Sequence, residues 1–149
     1  MRPKMKTLSC RQIEFGSPEY EATVALRDAV LRRPLGLEFS PAQLAAESAD
    51  YHLACFRDDE LAGCLILVPG TAGRIQMRQV AVAGHAQGQG VGRALIVFAE
   101  EFARGHGFHE MTLHARETAV PFYHKLGYQR VGERFEEVTL PHWEMRKPL

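Results

Sequence analysis

The sequence predicts a mixed α/β fold, a sheet with helices packed on its faces, and three observations carry that reading. Over Arg74–Val82, Ile75, Met77, Val80 and Val82 are set against Gln76, Arg78 and Gln79 with a period close to two. Strand side chains leave on alternating faces, so this run reads as a strand. Beyond a glycine-bearing segment, Val91, Ala94, Leu95, Phe98, Ala99 and Phe102 recur at the spacing of one helix face. The full order is strand, two helices, three strands, helix, strand, helix, two strands, which builds a mixed sheet with helices on its faces.

Each element has its own local cause. Thr7 to Phe15 mixes apolar and polar residues without helical spacing and reads as the first strand. Ser17-Pro18 supplies an N-cap and a proline at the first helical position. Ala22, Ala25, Leu26, Ala29 and Val30 then form the apolar face of a helix running to about Arg32, and Pro34 and Gly36 break it. Ser40-Pro41-Ala42-Gln43 has the form of a capping box, placing a short helix over 41–48. His52 to Arg57, a turn at Asp58-Asp59-Glu60 and the apolar run Leu61 to Val68 give a hairpin. Pro69 to Gly73 turns into the strand at 74–82, and Gly105 and Gly107 end the helix at 90–104. Glu110 to Ala115 alternates as a strand. Thr118 caps another helix, whose first turn tolerates Pro121 because that amide has no intrahelical partner. This helix carries Phe122, Tyr123 and Leu126 and stops at Gly127. Tyr128 to Phe135 and Trp143 to Lys147 are closing strands, separated by a loop holding Pro141. Phe15, Tyr51 and Trp143 read as core or rim aromatics. There is no internal repeat, low-complexity tract or linker, so residues 1–149 are expected to form a single domain.

Composition narrows the function. Lys plus Arg and Asp plus Glu both number 18, so the formal net charge is zero, which favours neither nucleic acid nor an anionic membrane as a partner. No apolar run approaches the length of a membrane span. The opening residues, Met1 to Lys6, are basic but lead into polar sequence, unlike a signal peptide. The three cysteines, Cys10, Cys55 and Cys64, are odd in number and scattered, and read as small buried thiols of a cytoplasmic protein. His106, His109 and His114 lack the i, i+4 spacing of helical ligands, and no metal is expected.

The segment between strand and helix carries the chemistry. Gly88, Gly90 and Gly92 stand where the first helical turn begins. A helix start presents backbone N–H groups without intrahelical partners and the positive end of the helix dipole, and residues lacking side chains let a phosphate reach those donors. Arg93 adds a positive charge. The P-loop spacing fails, because Arg93-Ala94 follows Gly92 where Lys-Ser/Thr is required. The dinucleotide pattern GxGxxG fails as well, since its third glycine falls on Arg93. A nucleotide-dependent enzyme is therefore disfavoured. The spacing that fits is Gln-x-x-Gly-x-Gly, read as Gln87, Gly90 and Gly92 after a strand.

That loop resembles the acyl-coenzyme A pyrophosphate loop of the GNAT superfamily of N-acetyltransferases. A second stretch, Ala119-Val-Pro-Phe-Tyr-His-Lys-Leu-Gly-Tyr128, resembles the family's C-terminal helix motif and falls on the expected helix. The tail from Gly132 to Met145 is similar to a bacterial subgroup of uncharacterised members. The resemblance covers residues 50–147 by motif and the N-terminal third by element order. It implies the acyl-CoA N-acyltransferase (GNAT) fold, with a central, mostly antiparallel sheet flanked by helices.

The resemblance implies direct acetyl transfer from acetyl-CoA to an amine in a ternary complex. Acetyl-CoA would lie along Val80, Ala81 and Val82. Main-chain N–H groups of Gln87, Gly88, Gln89, Gly90, Val91 and Gly92, with Arg93, would hold the pyrophosphate, and Phe122 would adjoin the cofactor. Tyr123 matches the family's tyrosine that protonates the departing thiolate; a phenol with an ordinary pKa of about 10 keeps its proton at neutral pH. The general base is open among His114, His142, His52, Asp50 and Glu137, with His114 and His142 foremost because the strand at 110–115 and the closing segment should border the cofactor cleft. Arg78 and Arg116 could contact a substrate carboxylate or a CoA phosphate, although many relatives hold asparagine near Arg116. The acceptor would be an amine of a small molecule or protein, and because relatives commonly dimerise the resemblance allows a homodimer. The alternative is a non-catalytic acyl-CoA-binding or regulatory module that keeps the cradle without turnover.

Overall fold

A computed structural model describes residues 7–149, so the opening basic segment lies outside the described residues. The chain order is β1 (Leu8–Ile13), α1 (Pro18–Arg27), a π-helical turn (Asp28–Arg32), a 3-10 turn (Arg33–Leu35), α2 (Pro41–Ala45), β2 (Tyr51–Arg57), β3 (Glu60–Pro69), β4 (Arg74–Val82), α3 (Val91–Gly105), β5 (Glu110–Arg116), α4 (Val120–Lys125), β6 (Gln129–Glu137) and β7 (Leu140–Pro148). Seven strands hydrogen-bond in the order β1-β2-β3-β4-β5-β7-β6. The sheet is mostly antiparallel; β4 and β5 run parallel, joined by the helical crossover through α3 that a parallel pair requires. The chain divides into two compact units, one made of residues up to Leu67 with Gln79–Ala99, the other of Val68–Arg78 with Glu100–Leu149.

In the first unit β1 and β2 pair so that Cys10 faces Cys55, and the two form a disulfide with a Cα–Cα distance of 4.0 Å. This corrects the reading of three free thiols. Strand alternation does not reveal which residues a register sets opposite each other, and here the register makes the pair. Cys64 remains free and buried, its thiol pushed up to about 12 by desolvation. Ser17 caps α1 by accepting from the Tyr20 amide, and the Ser40–Gln43 capping box of α2 is present in both directions. Of the expected apolar face, Leu26 and Val30 are half-buried and pack against the core, Ala22, Ala25 and Ala29 are exposed, and Tyr20, Thr23 and Arg27 are the buried residues. Arg27, 1% exposed, explains the difference. It donates to both oxygens of Glu47 at 2.9 and 2.5 Å and lies over the Phe39 ring, while Tyr20 donates to Glu47 at 2.9 Å. Burial works against the Glu47 charge, but the Arg27 and Tyr20 bonds hold its carboxyl below the usual range. Ile13, Tyr20, Ala54, Phe56, Cys64 and Ala81 form one core cluster of this unit.

The second unit has a two-sided sheet. Met111, Leu113, Ala115 and Met145 are buried, while Thr112 and Arg116 on the alternating positions are half-buried and His114 is exposed. Tyr128 is fully buried and donates to Glu100 at 2.8 Å; Glu100 in turn receives Lys147 Nζ at 3.0 Å. Two sequence expectations change here. The expected loop around Pro141 is a two-residue turn, Val138-Thr139, with φ of 46° and 65°, and β6 and β7 pair from Glu137↔Leu140 onward. Left-handed residues at both turn positions match the twist of a hairpin, and Pro141 is tolerated as the second residue of its strand. Thr118 does not cap α4: a 3-10 turn over Glu117–Ala119 precedes the helix, and its N-cap residue Ala119 makes no side-chain cap bond.

Candidate active site

The glycine-rich segment is built on β4, β3 and α3 of the first unit. Gln79 interrupts β4 with φ of 56°, and the parallel register with β5 covers Arg74–Met77. A non-glycine residue in this region costs about 1–3 kcal/mol, and such outliers concentrate at functional sites. Its one signal in the sequence is two successive polar residues at Arg78-Gln79. Past the kink Ala81 is buried, whereas Val80 and Val82 are half-buried, so the second half of the apolar pattern is not the buried set. Gly63 on β3 explains the close packing beneath: a Cβ there would stand 3.1 Å from the Ala81 carbonyl oxygen and 3.1 Å from Val91 Cγ1.

After a short 3-10 turn, Gly84–Ala86, the chain runs through Gln87 to Gly90, all exposed, and enters α3. The Gly90 carbonyl accepts from the Ala94 amide at 3.0 Å, which makes Gly90 the last residue before the helix. Gly88 and Gly90 have φ of 76° and 78°, and a Cβ built on either meets nothing within 4 Å. The loop is therefore an open, left-handed backbone at the mouth of a 15-residue helix, the geometry that presents N–H groups to an anion. Arg93 is exposed in the first turn. Side chains hold the loop from the protein side: Gln89 Nε2 donates to the His85 carbonyl at 3.0 Å, Arg57 Nη1 donates to Gln89 Oε1, and His85 pairs with Glu60 at 3.3 Å. Arg57 and Glu60 were missed from sequence, because the hairpin that carries them becomes a neighbour only through strand order.

These features decide the family when joined to comparison with known proteins. The family described as acetyltransferase (GNAT) domain matches residues 37–149. The chain belongs to the GNAT acetyltransferase family. An acyl-CoA N-acyltransferase from Pseudomonas aeruginosa shares the GNAT fold at a TM-score of 0.80 and 22% identity, covering 96% of this chain and 99% of that one. A GNAT family acetyltransferase from Elizabethkingia anophelis with acetyl-CoA bound superposes at a TM-score of 0.74 and 16% identity, covering 95% and 98%. N-acetyltransferase 8 of Rattus norvegicus is 29% identical over 73 residues, 47% of this chain and 33% of its own. The GNAT chain thus spans about a third of the length of the curated mammalian relatives it matches.

In the second unit, Tyr123 of α4 is 8% exposed, and burial pushes its phenol up to about 12. Its ring packs against Phe122 at 5.1 Å and Tyr128 at 5.8 Å, and its carbonyl accepts from the Tyr128 amide at 3.1 Å. Phe122 is 41% exposed, so it is no part of the core. Three of the five base candidates meet on this unit's sheet. His114 Nδ1 lies 3.2 Å from Glu137 Oε1, and His142 Nε2 lies 3.6 Å from Glu137 Oε2. His52 belongs elsewhere, buried in the first unit with Nε2 donating to the Glu47 carbonyl at 2.8 Å. Asp50 lies in that unit too, half-buried between α2 and β2. Arg116 is half-buried opposite His142, and Arg78 is exposed. His106 bonds the Phe102 carbonyl at 2.8 Å, and among the described residues no group of three His, Cys, Asp or Glu side chains could hold a metal.

Proposed function

We propose that the chain is an acetyl-CoA-dependent N-acetyltransferase that passes the acetyl group to a primary amine of a small molecule or protein by direct transfer. One observation carries the reading: an open loop of left-handed glycines, Gly88 and Gly90, at the start of α3, one short turn beyond a kinked β4. Acetyl-CoA binding in the Elizabethkingia anophelis relative supports the same co-substrate for this chain. In this reading the amides of Gln87 to Gly92, with Arg93, hold the pyrophosphate, and the backbone of Val80, Ala81 and Val82 hydrogen-bonds the pantetheine amides as an added strand would. The amine nitrogen attacks the thioester carbonyl, and a main-chain N–H near Val80–Val82 stabilises the oxyanion.

Tyr123 donates its proton to the departing thiolate. Burial raises the phenol to about 12, so it holds its proton throughout the neutral range and has one to donate. His114 and His142 are the candidates for accepting the amine proton, and Phe122 borders the cofactor. A cytoplasmic setting is part of the proposal. Among the described residues no helix is long and apolar enough to cross a membrane.

The test pairs thermal shift with acetyl-CoA against free-thiol release over a broad amine panel. Stabilisation by acetyl-CoA with amine-dependent release supports the transferase. Stabilisation with no amine-dependent release supports the non-catalytic binding module, and stabilisation by ATP or NAD in place of CoA esters overturns both.

A further inference from the structure

The two histidines around Glu137 are not equivalent, and their bonds sort them. Ionised Glu137 only accepts hydrogen bonds, so the His114 ring nitrogen 3.2 Å from its Oε1 is the one that carries hydrogen. In the neutral ring Nδ1–H then points at Glu137 and Nε2 keeps the lone pair. The His114 side chain is 35% exposed, so that nitrogen is reachable. His142 is committed differently. Its Nδ1 donates to the Leu140 carbonyl at 2.8 Å, its Nε2 faces Glu137 Oε2 at 3.6 Å, and its side chain is only 5% exposed. The Phe135 ring flanks both, 5.1 Å from His114 and 5.9 Å from His142. The Val138-Thr139 turn folds Glu137 back onto this face of β7.

We propose that His114 Nε2 is the general base of the transfer and that Glu137 is a positioning residue which fixes its tautomer, with His142 excluded as base because its side chain is buried and its Nε2 is turned toward Glu137 rather than solvent. This rests on the acetyltransferase reading and narrows it to one atom. As the amine nitrogen bonds to the acetyl carbon, its proton passes to His114 Nε2. The C–S electron pair leaves on sulfur, which takes the proton of Tyr123, so one acetyl group moves and no further reactant is needed. The arrangement is that of a base oriented by a carboxylate on its other ring nitrogen. The charged groups facing His114 are Glu137 from β6, Glu144 and His142 from β7, and Arg116 two residues along its own strand.

The first test needs no turnover. Long-range proton–nitrogen NMR of the full chain, read where imidazole is neutral, should show His114 with hydrogen on Nδ1 and a bare Nε2, and Glu137→Gln should mix the two tautomers. Hydrogen on Nε2 in the wild type, or an unmixed tautomer in Glu137→Gln, overturns the proposal. The second test uses His114→Asn, whose amide keeps a donor where Nδ1 stood but removes Nε2. At saturating acetyl-CoA its kcat for amine-dependent thiol release should fall about 100-fold or more, the scale of general base catalysis. Acetyl-CoA binding should be unchanged. Glu137→Gln should lower kcat and shift the acidic limb of the pH profile, Glu137→Asp should recover part of the rate, and Glu136→Gln should match the wild type. Full turnover in His114→Asn overturns the assignment. If wild-type protein binds acetyl-CoA but turns over no amine, the transferase reading fails, and the NMR result still decides the Glu137–His114 pairing.

Discussion

Alanine at Gly90 separates a phosphate cradle from a plain helix entry. Gly88 and Gly90 have φ of 76° and 78°, and a Cβ on either meets nothing within 4 Å. The folded chain therefore resists alanine only through its left-handed backbone, a cost of about 1–2 kcal/mol at each position. Gly84 is the control: its Cβ also meets nothing within 4 Å, and its φ is not positive. Alanine there should leave stability unchanged or raise it by up to about 1 kcal/mol, because the unfolded chain loses freedom. Ligand affinity adds a second consequence. The new Cβ at position 90 occupies the space a phosphate would enter, and relaxing φ turns the neighbouring amide away from it. One lost bond to a charged partner is worth about 1.5–3 kcal/mol, so acetyl-CoA affinity should fall about 10- to 100-fold. Calorimetric titration with acetyl-CoA, run beside urea unfolding of the free protein, measures both. If Gly90→Ala loses stability but binds acetyl-CoA within about twofold of wild type, the glycines serve only the turn, and the reasoning from loop to cradle is refuted.

Three further outcomes follow from the same structure. Tyr123→Phe should lower kcat about 100-fold while leaving acetyl-CoA affinity intact; because the phenol is raised to about 12, the loss should be uniform from neutral to mildly alkaline pH, and unchanged turnover would remove Tyr123 from the mechanism. Gly63→Ala should cost about 1–3 kcal/mol in urea unfolding, since its Cβ meets the Ala81 carbonyl and Val91 at 3.1 Å and β4 or α3 must shift. Glu47→Gln leaves Arg27 buried without its counter-charge and should cost about 3–5 kcal/mol. The carboxyl is held below its ordinary 4.5 in the folded chain, so its contribution is present above that value and is lost as pH falls through the folded one; urea midpoints at neutral and acidic pH should converge for wild type and variant on the acidic side.

Periodicity and punctuation made most of the fold legible. Ser17 and Ser40 cap helices through chemistry local to a few residues, and the alternation over 74–82 and the helical spacing from Val91 hold because each element buries one face. What escaped depends on partners distant in sequence. Arg27 reads as a break in an apolar stripe until Glu47 and Phe39 are brought beside it. Cys10 and Cys55 read as separate thiols until the β1–β2 register opposes them. The loop glycines were legible because their requirement is a backbone property of their own position. The Glu137 contacts were not, because they depend on a tight turn at Val138-Thr139 that no glycine or asparagine announces.

The most direct test of the cradle is amide chemical-shift mapping of the labelled protein titrated with acetyl-CoA. The largest shifts should fall on the N–H groups from Gln87 to Arg93, with a second set at Val80–Val82. Saturable binding that moves amides elsewhere and leaves Gln87 to Arg93 in place would contradict the account.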